Sequence, residues 1–202
     1  MDKKHRQSDL PDRVEGFAIF FTSRILFRVM TISGSTGPLF PSLSSQSLSG
    51  ENVTLPDDCR GFVTLVAIAF QRGAQGMIDS WYEPFLREFG GNQNTRFYEI
   101  PMIGSAYWRV MSGWIDAGMR SGIPAAKHPF VITYYGDVFF YRKDLGMDDL
   151  ALAYMFLLDR EGRIRWKGKG YAGKDDIVDM KDHISRLLNE QDNEPLLSES
   201  FY

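Results

Sequence analysis

An α/β fold, with a mixed central sheet and flanking helices, is predicted by three features of the chain. "FVTLVAIAF" (62–70) is a β-branched apolar run that ends in a Gly-bearing turn and leads into a helical stripe. That is the pattern of a strand buried on both faces and followed by its crossover helix. A second strand-and-helix pair repeats this order over 95–122. The chain then closes on two strands joined by the short turn "DREG" and on an amphipathic helix. A parallel βαβ unit followed by an antiparallel ββα unit fits a single sheet whose faces are covered by helices.

Taken in order, residues 33–61, "SGSTGPLFPSLSSQSLSGENVTLPDDCRG", are rich in Ser, Gly and Pro and read as an irregular lead-in crossing the domain surface. After the first core strand, Met77, Trp81 and Phe85 recur at four-residue spacing, as on one face of a helix. Pro84 predicts a kink or early interruption there. "TRFYEIPMI" (95–103) is the second strand, and "SAYWRVMSGWIDAGMRSG" (105–122) carries Tyr107, Met111, Trp114 and Gly118 at helical spacing. "PFVITYY" (129–135) reads as a third strand and "VFFYRKDLGM" as a short helical or irregular piece. "LAYMFLL" (152–158) and "RIRWKG" (163–168) form a hairpin across "DREG". "KDDIVDMKDHISRLLNE" (174–190) keeps Ile177, Met180, Ile184 and Leu187 on one face of a helix. This order of elements is thioredoxin-like. The expected organisation is an N-terminal extension over 1–50, a thioredoxin-like domain over 51–190 and a flexible tail over 191–202.

Composition excludes several classes. The chain has 202 residues, 44% hydrophobic and 14% aromatic, which argues for a folded domain. Its 23 basic and 26 acidic residues give a net charge of −3, and no basic stripe is interleaved with aromatics, so nucleic acid is not an expected partner. One cysteine, Cys59, cannot form an intramolecular disulfide. No segment reaches the roughly 18 apolar residues that span a bilayer, since "GFAIFFTSRILFRVM" is interrupted by Arg24 and Arg28. The first fifteen residues hold four acids, too polar for a secretory signal, whereas residues 16–50 hold none. The extension therefore reads either as an organelle-targeting segment or as a surface-wrapping one.

The turn after the first core strand is where a redox enzyme of this fold needs its thiolate, because the helix amino end lowers the thiol pKa. Here it offers Gln71, Arg72, Gly73, Ala74, Gln75 and Gly76. Cys59 precedes the strand, which places it at the opposite edge of the unit and marks it as structural or incidental, a small hydrophobe. A thiol peroxidase or disulfide oxidoreductase relying on Cys59 alone is the competing reading, and it requires an exposed thiol of low pKa. His5, His128 and His183 are scattered, without metal-ligand spacing. No P-loop, G-x-G-x-x-G fingerprint or G-x-S-x-G elbow is expected. Asp148–Asp149 and Asp175–Asp176 read as turn and helix-start residues. No cofactor is expected. Aromatic residues beside Gly and Arg in "YWRVMSGW", "TYYGDVFFY" and "IRWKGKGYAG" are core, with a protein-binding surface as the alternative.

"LPDDCRGFVTLVAIAF" followed by "FLLDREGRIRWKG" resembles the TlpA and peroxiredoxin branch of the thioredoxin-like fold. Within it, "LFPSLSSQSLSG", "YYGD", "KDLGM" and "AYMFLLDREGRIRWKGKGYA" are similar to the mitochondrial ATP synthase assembly factor family called Atp-ten, over about Ser35 to Leu188. The resemblance implies a non-enzymatic chaperone, peripheral on the matrix side of the mitochondrial inner membrane. It further implies association with newly made ATP synthase membrane subunit 6 (a) and help in joining it to the subunit 9 (c) ring. It aligns Ala153 with the position where redox members keep a cis-proline, so the opening turn reads as a retired active site. Two client-binding surfaces are candidates. One joins Arg72 to Gly76 with the strand around Ala153 and Tyr154, and the other comprises Tyr134, Tyr135, Arg165 and Trp166. A redox-silent thioredoxin-like scaffold with a different partner is the further alternative.

Overall fold

A computed structural model of the chain describes residues 37–104 and 112–190, the side chains of 112–116 excepted. It opens with an antiparallel hairpin, β1 (Leu43–Gln46) and β2 (Asn52–Leu55), in which Leu43 faces Leu55. The main sheet contains β3 (Val63–Ala69), β4 (Thr95–Ile103), β5 (Tyr134–Tyr135), β6 (Tyr154–Leu158) and β7 (Ile164–Lys169), in the spatial order β5-β4-β3-β6-β7. β4 runs parallel to β3 and β5 parallel to β4, whereas β6 and β7 are antiparallel to their neighbours. The helices are α1 (Gln75–Phe89), α2 (Ser112–Gly122), α3 (Phe139–Leu145) and α4 (Lys174–Glu190).

All seven residues of β3 are buried, and alternation sends them into two cores. Val63, Leu65, Ala67 and Ala69 join α1 and α4, packing with Ile78, Trp81 and Phe85 and with Met180, Ile184 and Leu187. Val66 and Ile68 enter the other layer, closed by Phe40, Leu43 and Leu55 from the hairpin region and by Tyr141 and Leu145 from α3. Helices thus cover both faces of a mixed sheet, the expected thioredoxin-like architecture.

Three expectations need correction. The Ser-rich stretch taken as an irregular lead-in forms the β1–β2 hairpin, and Phe40, Leu43 and Leu48 are buried, so the packed unit extends upstream of Glu51. Residues 1–36 of the extension expected over 1–50, and the tail expected over 191–202, lie outside the described residues. α1 runs through Pro84 without interruption. Burial of Trp81, Phe85 and Phe89 on one stripe outweighs the roughly 3 kcal/mol that an interior proline costs. The third strand shrinks to β5, because residues 125–130 form a 3₁₀ turn that contains Pro129, which has no N–H to give a ladder.

The β6–β7 turn is held by Asp159, which is buried. Its Oδ1 accepts from the backbone N–H of Glu161 (3.1 Å) and of Arg163 (2.9 Å), and its Oδ2 accepts from Arg165 (3.1 Å). Gly162 adopts φ +82°, and a Cβ there would lie 2.4 Å from the Pro56 side chain. Both constraints demand glycine. Asp159→Ala orphans these donors and should lower stability by about 2–4 kcal/mol, read as a shift in the urea midpoint at unchanged slope.

Candidate functional site

Leaving β3, the chain passes the half-buried Phe70 and makes a 3₁₀ turn over Arg72–Ala74 before α1 begins at Gln75. The Ala74 N–H donates to the Gln71 carbonyl at 3.1 Å. No side chain caps α1 and no acid lies in its first turn, so its amino end keeps the positive field that would stabilise a thiolate. The groups placed in that field are Ala74, Gln75, Gly76 and Met77. The field is kept, and the group it would activate is absent.

The wall beside the turn follows from register. Ile68 pairs with Tyr154, which sets Ala153 beside Ala69, and both share a core with Ala74. The Ala153 carbonyl accepts from the Gly170 N–H (2.8 Å), while the Gly170 carbonyl accepts from the Trp81 indole (2.8 Å). Ser80 Oγ accepts from the Ala172 N–H at 2.9 Å. These bonds fix the 170–172 loop to α1. Tyr171, 65% exposed, lies with its hydroxyl 3.1 Å from where a Gly76 Cβ would stand. Tyr171 thereby covers one side of the turn, a position no spacing in the sequence announced.

The predicted binding residues divide. Arg72 and Gly76 are exposed on the turn. Tyr154, expected to join them, is buried in the opposite layer, where its hydroxyl accepts from the Asp149 N–H (2.8 Å) and donates to the Asp149 carbonyl (3.0 Å). It is therefore core, and only Ala153 of that strand lines the turn. Tyr134 and Tyr135, half-buried on β5, and Arg165 and Trp166, on β7, occupy opposite edges of the sheet. Four strand spacings, about 19 Å, separate them, so they do not form one surface. Tyr134 meets Tyr141 edge-on at 5.1 Å. Arg165 is engaged by Asp159 and Glu190, and Trp166 packs on Trp81 at 5.4 Å and donates to Asp179 at 2.6 Å.

Cys59 ends a 3₁₀ turn ahead of β3 and is fully buried, about 20 Å of strand away from the α1 amino end. Burial pushes its thiol up to about 12, against weaker opposing effects of the Thr64 hydroxyl and Arg96. A thiol held protonated and enclosed is not a nucleophile, which counts against the peroxidase reading. A chain with one cysteine holds no redox pair.

Against the expectation that no such fingerprint occurs, Gly168–Gly173, "GKGYAG", spells G-x-G-x-x-G. The fold strips it of its usual meaning. β7 is an antiparallel edge strand rather than the first strand of a βαβ unit, and Asp175 and Asp176 occupy the first turn of α4, where a phosphate would meet like charge. Gly168 is small because the Trp166 and Trp81 rings close on it, at 2.6 and 2.9 Å from a Cβ position.

A family model described as ATP10 protein matches residues 32–187. The mitochondrial ATPase complex subunit ATP10 of Eremothecium gossypii is 28% identical over 147 residues, covering 68% of this chain and 52% of that protein. The chain thus spans about half the length of this curated relative. Among solved structures, a candidate protein disulfide isomerase from Bacteroides thetaiotaomicron superposes with a TM-score of 0.53 at 17% identity, over 77% of this chain and 91% of its own. A thioredoxin-like protein from Bacteroides vulgatus gives 0.51 at 16% identity, over 77% and 90%. At such identities the likeness is one of fold.

Glu99 on β4 is buried to 9% exposure. Desolvation raises its carboxyl above the ordinary 4.5, opposed by a Gln75 hydrogen bond and Lys127 and reinforced by Asp79. The folded chain therefore holds this proton longer than the unfolded chain does. Stability is lost as pH climbs from the unfolded value through the raised folded one. Glu99→Gln abolishes the titration, so the variant should gain on the wild type as pH rises above the ordinary carboxylate value of 4.5. Urea unfolding of both proteins at each pH checks this, and a pH-independent gap would contradict it.

Proposed function

The chain belongs to the ATP10 protein family, and from that premise we propose that it is an assembly factor of the mitochondrial ATP synthase that works by binding rather than by redox chemistry. The observation that carries this reading is the intact strand–turn–helix of the fold with Ala74, Gln75, Gly76 and Met77 at the helix amino end. Its single cysteine is buried at the other end of β3. The field, the turn and the adjoining strand persist, which suits a docking surface for protein. The name of the Eremothecium relative, a mitochondrial ATPase complex subunit, supports the mitochondrial setting.

In finer terms, the chain holds newly made membrane subunit 6 (a) and promotes its joining to the subunit 9 (c) ring, from a peripheral position on the matrix side of the inner membrane. Among the described residues no helix is long and apolar enough to cross a membrane, which agrees with peripheral attachment. The proposed docking surface centres on Arg72 and Gly76, with Tyr171 as its wall. Arg72 is exposed, and arginine and tyrosine are the residue types enriched in binding hot spots. Tyr134 and Tyr135 on one edge of the sheet, and Arg165 and Trp166 on the other, are secondary contacts at most, since the polar groups of Tyr134, Arg165 and Trp166 already have internal partners.

A pulldown of tagged protein from mitochondria whose own translation products have been pulse-labelled tests the reading. Labelled channel subunit should be recovered early and fade during a chase, and Arg72→Glu should reduce recovery several-fold, about 1 kcal/mol or more. Folded protein that recovers no labelled product would overturn the proposal.

A further inference from the structure

We infer that the outer edge of β4 is a second docking site, one that takes an extended apolar peptide segment carrying a basic side chain and adds it to the sheet as a strand beside Thr95–Glu99. This inference concerns a surface separate from the α1 turn and does not depend on the identity of the client there.

The backbone makes the first argument. Along β4 the carbonyls of Glu99 and Ile103 point to the outer edge, where they accept from Ile132 (2.9 Å) and Gly136 (3.3 Å). Residues two apart share a side, so Phe97 turns its N–H and C=O the same way. Yet β5 pairs only with Met102 and Ile103, and Val131 bridges only Glu99. Upstream, the chain that would have continued this strand coils into the 3₁₀ turn over 125–130. Among the described residues nothing pairs with Phe97 on that side. An unpaired strand edge is the template that extended peptides extend.

The space beside that edge makes the second. A groove of about 910 Å³ runs along it, opposite roughly 17 Å of strand. Phe97 forms its floor, packed on Tyr82 at 4.6 Å and Phe85 at 5.9 Å. Leu86 and Phe130, 49% and 41% exposed, stand on its rims. Alternate side chains of an added strand would fall between these apolar groups, which is how strand addition acquires specificity.

Charge selects the occupant. Both cations of the lining are already committed: the Arg96 guanidinium lies 3.5 Å over the Phe62 ring and donates to the Asp58 carbonyl (2.7 Å), and the Lys127 ammonium sits 4.2 Å over the Tyr82 ring. Three acids, Glu51, Asp58 and Glu99, line the groove against these two cations; Asp58 accepts from the Thr54 N–H and Glu99 feels Gln75 and Lys127, whereas Glu51 makes no ion pair among the described residues. A strand with a central Lys or Arg complements this lining, and an acidic strand does not.

The test uses the full chain and a capped, fluorescein-labelled heptapeptide with central Lys and alternating Val and Thr around it. Fluorescence anisotropy should show saturable binding, weakened at least about tenfold when alternate amides are N-methylated, when the Lys is replaced by Glu, or in Glu99→Gln. Hydrogen exchange should slow at the Phe97 amide on binding. The inference is overturned by no saturation up to about 1 mM peptide, or by equal binding of the N-methylated peptide. Tighter binding to Glu99→Gln also overturns it, because the carboxyl would then guard the edge against pairing.

Discussion

Desolvation of β3 on both faces is the constraint from which the rest of the molecule follows. A strand with seven buried residues must satisfy its backbone from two neighbours and its side chains from two layers. β4 and β6 supply the first, while α1 with α4, and the β1–β2 hairpin with α3, supply the second. Because β6 pairs antiparallel to β3, its first residues lie beside the last residues of β3. That is why Ala153, Ala69 and Ala74 converge where α1 begins. In a redox protein such convergence brings together a nucleophile and the groups around it. Here it brings together methyl groups.

The surroundings of that turn are nevertheless rigid. The Trp81 indole and the Ser80 hydroxyl hold the 170–172 loop from the α1 side, and the Gly170 N–H holds it to the carbonyl of Ala153. A part-buried hydrogen-bonded network of this kind favours one arrangement, since an unpaired member would cost up to about 1–3 kcal/mol. The fold thus keeps an ordered turn with a positive helix end and an exposed Arg72, and places no thiol there. Recognition of protein, which needs shape and a few anchoring groups, suits what is retained.

Where the hydrophobic pattern was strong the sequence was legible. β4 and α4 fall on the residues their patterns predicted, and the "DREG" turn forms around Asp159 as expected. Legibility failed where tertiary context decides. Two four-residue strands of "LSSQ" and "NVTL" carry little periodicity, so the hairpin was hidden in a Ser-rich run. The interior Pro84 argued locally against a helix that aromatic burial maintains. Tyr154 has a neighbour, Ala153, facing the turn, and a one-residue step in a strand reverses the face. No single sequence states that β5 and β7 are opposite edges, so Tyr134 and Trp166 could be grouped by composition and yet lie far apart. Tyr171 and Glu99 gave no signal, because their positions depend on which loop packs on α1 and which strand edge is left open.

The central claim is that this thioredoxin-like chain acts without a thiol, and replacing Cys59 by Ala tests it most directly. The variant would be expressed in cells lacking the endogenous protein, its abundance and thermal unfolding measured alongside assembled ATP synthase. Assembly at the wild-type level, with at most the modest destabilisation of about 1–2 kcal/mol expected for a small truncation in a core, is the predicted result. Loss of assembly by a variant that folds and accumulates normally would contradict the account, because it would give the one cysteine a chemical role.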